Sequence, residues 1–261
     1  TPTIGQRGPL TNCLEIVYDV VMERHVPFEE GEYYHVYNRG VDKRKIFFSE
    51  GDWNHFMWLL FARNSEGHIR APRKKPQANG QRGSLTILPM DANRETLVDI
   101  CAYALMDNHF HLLLKEKQEG GISKFMGKLL TAFALYMNTK YDRTGPLMCR
   151  PFRAKHIDSD EYLRWVISYI HLNPVDQVEP KWKEFGVSSL KETQEFLSKY
   201  KYSSYSDYFT IGQRGSLTTR QEGAIINKDA LPIDISDLDN LKEMLEEYSS
   251  HAYLDEEIDT V

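Results

Sequence analysis

The run Met106-Asp107-Asn108-His109-Phe110-His111-Leu112-Leu113-Leu114-Lys115 decides how this chain is read. It follows Val98-Asp99-Ile100-Cys101-Ala102-Tyr103-Ala104-Leu105, a β-prone stretch, and the two read as paired strands joined by a short turn at Asp107-Asn108. Side chains alternate across a strand, so His109 and His111 project from one side while Phe110 and Leu112 enter the opposite face. Two imidazoles on one face can share a divalent metal ion. Taken alone, the tripeptide reads more readily as two histidines on a solvated sheet face than as a metal site.

Working outward, Tyr33-Tyr34-His35-Val36-Tyr37-Asn38-Arg39-Gly40 reads as a strand closed by an Asn-Arg-Gly turn. Ser49-Glu50-Gly51-Asp52 opens a helix in which Trp53, Phe56, Met57, Leu60 and Phe61 recur at the spacing of one apolar face. Residues 64–95 carry Pro72, Pro76, Gly80 and Gly83 among bases and polar residues, the composition of an insertion loop. After Gly120-Gly121, Ile122, Phe125, Met126, Leu129, Leu130, Phe133 and Met137 mark the stripe of a long helix ending near Tyr141. Pro146 to Ile157 reads as loop and then strand, and Asp158-Ser159-Asp160-Glu161 supplies an N-cap with an acidic first turn. The helix that follows, from about Ser159 to Leu172, is expected to stop at Asn173-Pro174, because the residue before proline avoids the helical region.

That order predicts an α+β fold, a ferredoxin- or RRM-like antiparallel sheet with helices on one face, plus a C-terminal helix and extensions. The expected divisions are an N-terminal extension over 1–30, a core domain over 31–185, and a C-terminal extension with an acidic tail over 186–261. Within the first of these, Leu14 to Met22 has the pattern of a strand or short helix.

Composition narrows the functional classes. Hydrophobic residues make up 41% of 261, enough for a real core, and no apolar run reaches the roughly 18 residues of a membrane span. A soluble, cytoplasmic protein with no membrane partner is expected. Cys13, Cys101 and Cys149 are too few and too widely spaced for a disulfide framework or a zinc knuckle. The net charge of −6 is misleading, since ten acidic residues and one base after residue 233 carry −9 and leave residues 1–233 at +3. Bases gather in Arg63, Arg70, Arg73, Lys74, Lys75 and Arg82, and again in Arg143, Arg150, Arg153 and Lys155, where phosphates can be met.

A short word occurs three times, at Gly5-Gln6-Arg7-Gly8, Gly80-Gln81-Arg82-Gly83 and Gly212-Gln213-Arg214-Gly215, each followed by a Leu-Thr pair. Starts 75 and then 132 residues apart exclude a solenoid period. Copies confined to loops and extensions fit in-frame insertion of a short DNA repeat where the fold tolerates it, a hypothesis that unrelated synonymous codons in the three copies would refute.

On the helix before Asn173, Tyr162, Trp165, Val166, Tyr169 and Asn173 share one face, so a phenol and an amide one turn apart point the same way. Four blocks now align with one family. Tyr34 to Gly40, Tyr103 to Leu113, Arg143-Thr144-Gly145-Pro146-Leu147 with Phe152-Arg153-Ala154-Lys155, and Tyr169-Ile170-His171-Leu172-Asn173-Pro174-Val175 resemble the single-tyrosine HUH transposases of the IS200-like kind. The last block, with Tyr202-Ser203-Ser204-Tyr205-Ser206-Asp207-Tyr208, resembles the REP-associated tyrosine transposase branch.

The resemblance implies that His109 and His111 are metal ligands, that Tyr169 is the nucleophile on a catalytic helix, and that Asn173 stands where relatives carry a glutamine completing the metal shell. It implies Mg²⁺ or Mn²⁺ as cofactor, single-stranded or hairpin DNA as partner, and a 5′-phosphotyrosine intermediate with a free 3′-hydroxyl. A phenol of pKa about 10 is only about one part in a thousand ionised at neutral pH, so help from a cation is chemically sensible. Arg39, Lys115, Arg150, Arg153 and Lys155 are the phosphate-contact candidates, each with solvated surface charge as the alternative. A monomer is favoured over a homodimer, in the bacterial cytoplasm at the nucleoid. Two rivals stand beside this reading: a non-catalytic single-strand-binding module, and a metal-dependent hydrolase without a covalent step. Tyr136 and Tyr141 are reserve nucleophiles.

Overall fold

The computed structural model describes residues 27–67, 95–209, 225–233, 238 and 241–251. All three copies of the repeated word, the Leu14 to Met22 segment and residues 68–94 of the expected insertion lie outside the described residues.

Four strands form one sheet. In chain order they are β1 (Tyr33–Arg39), β2 (Val98–Leu105), β3 (His109–Glu116) and β4 (Arg153–Ile157), in spatial order β2-β3-β1-β4 with every pair antiparallel. Helix α1 (Glu50–Arg63) connects β1 to β2 and α2 (Gly121–Lys140) connects β3 to β4, which gives the expected split βαββαβ core. Both helices cover one face. Phe110, Leu112 and Leu114 of β3 and Val36 of β1 bury there against Phe56, Phe125, Leu129 and Phe133, with Phe56 in ring contact with Phe110 and Phe133 at 5.2 and 4.8 Å.

Local chemistry explains where these helices begin. Ser49 and Asp52 make a reciprocal capping box at α1. The buried Asp52 carboxylate also takes hydrogen bonds from the Tyr136 and Tyr141 hydroxyls of the α2 end, and Lys140 pairs with it, which holds the carboxyl down at about 2 despite burial. At α2, Gly121 packs so closely that a Cβ would come within 2.4 Å of the Leu97 carbonyl.

Strand β2 is buried on both faces and contains a bulge between Ile100 and Ala102. The extra residue reverses the alternation, so Val98 and Ile100 share the α1/α2 face with Tyr103 and Leu105, while Cys101, Ala102 and Ala104 face the other way. Its outer edge is covered by Tyr202-Ser203-Ser204: Leu105 N donates to the Tyr202 carbonyl and Ser204 N to the Tyr103 carbonyl, at 2.9 and 3.0 Å.

The opposite face receives α3 (Asp160–Leu172), capped by Ser159, whose hydroxyl accepts from Tyr162 N. The chain departs from expectation at its end. Asn173 keeps helical dihedrals (φ −50, ψ −41) although a proline follows, because Pro174 opens a 3-10 turn over Asn173–Gln177, where a missing N–H costs nothing. The core on this side crosses the boundary expected at residue 186. Trp165, Val166, Tyr169 and Ile170 pack with residues of α5 (Leu190–Lys199), α6 (Tyr205–Phe209) and α7 (Leu241–Ser250), after the short α4 (Trp182–Phe185). Helix α7 lies within the acidic tail; it buries Leu241, Met244 and Tyr248, and its Glu247 pairs with Arg164 of α3.

Candidate functional site

His109 and His111 lie on the α3 side of β3, as alternation requires, with Phe110 in the opposite core. Their rings stand perpendicular, 5.1 Å between centroids. Each has its Nδ1 engaged: His109 Nδ1 donates to Asn108 Oδ1 at 2.6 Å, and His111 Nδ1 lies 2.9 Å from His35 Nε2. Asn108 is itself oriented by donating its Nδ2 to the Lys43 carbonyl. Engaging Nδ1 leaves Nε2 of His109 as a bare lone pair, and the tautomer in which His111 donates to His35 does the same there, the usual arrangement of metal-binding histidines.

His35 was not among the sequence candidates. It sits on β1 opposite Leu113, one strand over from the pair and fully buried. The available signal was parity, since His35 and Tyr37 must share a face of their strand; the partner strand supplied the rest. Burial is the main cause that holds His35 at about 3 and His109 at about 4 and pushes His111 well below the ordinary range, with Lys155 acting on the first and Arg39 and Lys183 on the other two. All three are neutral near pH 7, the form that binds metal.

Helix α3 brings Tyr169 to the pair. Its ring meets His111 edge-on at 5.3 Å and His35 at 5.7 Å, and stacks on Trp165 at 5.0 Å. Tyr169 is 1% exposed, with Tyr248 of α7 stacked 6.4 Å away and the Lys183 ammonium of α4 5.0 Å from its ring centroid. Asn173, also buried, donates its amide N–H to the Tyr169 carbonyl at 2.9 Å. Tyr136 and Tyr141 end on Asp52, across the sheet from the histidines.

A cavity of about 250 Å³ opens beside the pair, lined by Tyr37, Arg39, His109, His111, Cys149 and Arg153 among others. Arg39 and Arg153 are thus brought to it. Lys155 pairs across from His35 and lies over the Tyr162 ring, and Arg150 is exposed on the preceding loop. Lys115 sits six residues along β3 from His109, about 20 Å away in an extended strand, with its ammonium over Tyr33. Among the described residues no three His, Cys, Asp or Glu side chains are grouped to hold a metal. His109 and His111 share a face of β3 and the cavity beside it, which brings two imidazoles together there.

Residues 82–173 match the family model described as transposase IS200 like, a span that contains His109, His111, Tyr169 and Asn173. A solved structure titled as a REP-associated tyrosine transposase bound to a REP hairpin is similar over 71% of this chain and 84% of its own, at 12% identity and a TM-score of 0.41. No curated protein matches the chain. None of the described helices is long and apolar enough to cross a membrane.

Proposed function

We propose, on the premise that residues 82–173 belong to the IS200-like transposase family, that this chain cuts and rejoins single-stranded DNA beside a hairpin through a covalent bond to Tyr169. The observation that supports it most is the docking of α3: a tyrosine 58 residues downstream in sequence is packed edge-on against His111 at 5.3 Å.

In this reading His109, His111 and the Asn173 amide oxygen hold Mg²⁺ or Mn²⁺. When bound, the metal supplies Lewis-acid polarisation of a non-bridging phosphate oxygen and charge stabilisation at the leaving oxygen. The chain's own groups do the rest. Arg39 and Arg153 at the cavity hold the phosphodiester in line with the phenol. Arg150 and Lys155 extend the basic track, and Lys115 meets DNA only where it runs the length of β3. The Tyr169 oxygen attacks phosphorus as the bond to the 3′-oxygen breaks; the phenol gives up its proton and the departing oxygen gains one. The product is a 5′-phosphotyrosine and a free 3′-hydroxyl, and a second 3′-hydroxyl reverses the step to join strands. Because Tyr169 is 1% exposed, the groups packed over its ring must shift for DNA to enter.

The block from Tyr169 to Val175 with Tyr202 to Tyr208 supports assignment to the REP-associated branch, acting as a monomer on hairpin DNA at the bacterial nucleoid. The deciding experiment incubates the protein, Mn²⁺ and labelled hairpin DNA from beside its own gene, and looks for a protein–DNA adduct on denaturing gels. Wild type is expected to form it and Tyr169→Phe to form none. Adduct persisting in the variant sinks the Tyr169 assignment, and cleavage without adduct in the wild type favours the hydrolase.

A further inference from the structure

The turn that leaves β1 is strained beside the candidate site. Asp42 and Lys43 take left-handed backbone in succession, φ 56 and 58, although neither is glycine, a conformation that costs energy unless the surroundings enforce it. Gly40 closes the turn so tightly that a Cβ would stand 2.2 Å from the Arg44 carbonyl oxygen. The turn is also pinned to the one between β2 and β3: Gly40 N donates to the Asn108 carbonyl and Ile46 N to the Asp107 carbonyl, both at 2.8 Å. Asp42 and Lys43 line the same cavity as His109.

What the strained backbone holds in place is a carbonyl. The Lys43 oxygen accepts from the Asn108 amide nitrogen at 3.1 Å, and Asn108 Oδ1 in turn lies 2.6 Å from His109 Nδ1. An amide turned end for end would set two acceptors, its own oxygen and the Lys43 carbonyl, against each other. The carbonyl therefore fixes the amide. The amide then presents His109 with an oxygen that has no proton to give, so the single ring proton of neutral His109 must sit on Nδ1. Its Nε2 is left as a lone pair. His111 is held differently: its Nδ1 faces another imidazole, His35 Nε2 at 2.9 Å, which donates or accepts according to its own tautomer.

We propose that the Asp42-Lys43 turn sets the tautomer of His109 through Asn108, making Asn108 a positioning residue that readies His109 Nε2 before metal or DNA arrives. This rests on the reading of His109 as a ligand given above, and adds to it a backbone turn outside the family match. The strain of the turn and the readiness of His109 are then one device: the hydrogen bonds that pin the turn offset its strain and aim the carbonyl that orients the amide. His109 needs no proton rearrangement when a dication comes, whereas His111 is ready only in the tautomer that donates to His35.

The test reads tautomers directly in the metal-free full chain, from the ring-nitrogen shifts of ¹⁵N-histidine-labelled protein near neutral pH, with His109→Gln assigning the His109 signals. Wild type is expected to carry the His109 proton on Nδ1. Asn108→Ala should move His109 toward the form protonated on Nε2 and leave His111 where it was. Asn108→Asp, which again offers Nδ1 an oxygen, should restore the wild-type tautomer. In Mn²⁺ binding with hairpin DNA, Asn108→Ala is expected to lose roughly 10- to 100-fold in affinity and Asn108→Asp to recover most of it. Within the turn, Lys43→Gly accepts the left-handed backbone and should keep the tautomer, whereas the β-branched Lys43→Val resists it and should disturb the tautomer with Asn108 unchanged. A wild-type His109 protonated on Nε2, or a wild-type tautomer persisting in Asn108→Ala or in Lys43→Val, overturns the proposal. Mn²⁺ binding fully retained in His109→Ala refutes the ligand reading instead, and leaves the tautomer result to stand by itself.

Discussion

Strand β3 has two sides that obey different rules. Phe110, Leu112 and Leu114 enter a core of aromatic and aliphatic side chains from α1 and α2, where any well-packed apolar set of the same volume would serve. His109, His111 and Leu113 face α3, where polar groups are buried beside Tyr169 and each must find a partner. One residue of translation along the strand separates a side that makes the fold from a side that carries chemistry.

The largest effect expected is on the first side. Phe110→Ala should cost about 4 kcal/mol in urea unfolding through cavity formation, whereas His109→Ala, partly exposed, should cost under about 1 kcal/mol and abolish metal-dependent adduct formation. Equal destabilisation by the two would erase the contrast.

The second prediction uses acid against His171 on the α3 side, with His171→Asn as the reference that cancels the contribution of other buried histidines such as His55 of α1. His171, fully buried with Nε2 2.8 Å from Ser204 Oγ, is held by burial at about 3. Unfolding returns it to about 6.5, so the unfolded chain protonates first, and stability that is complete above about pH 6.5 drains as pH falls toward the folded value. Between pH 7 and 5 the wild type should therefore lose about 2 kcal/mol more than His171→Asn, measured by urea midpoints. Identical losses would show that His171 titrates normally.

Third comes His35→Phe. Leaving His111 Nδ1 without its buried partner should cost about 1–3 kcal/mol and lower Mn²⁺ affinity on DNA by roughly 10- to 100-fold; an unchanged Mn²⁺ affinity would reduce His35 to packing. Smallest is Ser159→Ala, which removes the cap of α3 at about 1 kcal/mol. If adduct formation falls much further than stability, the angle at which α3 presents Tyr169 matters more than its anchoring.

Much of this was legible in order along the chain. The periods of two and 3.6 put His109 with His111 and Tyr169 with Asn173, and the element order gave the split βαββαβ core. The bulge at Ile100/Ala102 was not legible, because Cys101 and Ala102 fit either face and only the register with β3 distinguishes them. Helix α7 was hidden by its own charge: an acidic tail reads as solvated, yet Leu241, Met244 and Tyr248 recur at helical spacing within it and are buried.

By itself the sequence determined which side chains share a face within each regular element, the bulged β2 excepted, since that follows from backbone geometry alone. Only the tertiary structure decided which faces meet. His35 reaches His111 across 76 positions, Lys183 lies over Tyr169 from a separate helix, and Tyr248 closes over it from the tail. Such meetings depend on strand register and helix docking, which the whole core sets together and no local pattern encodes.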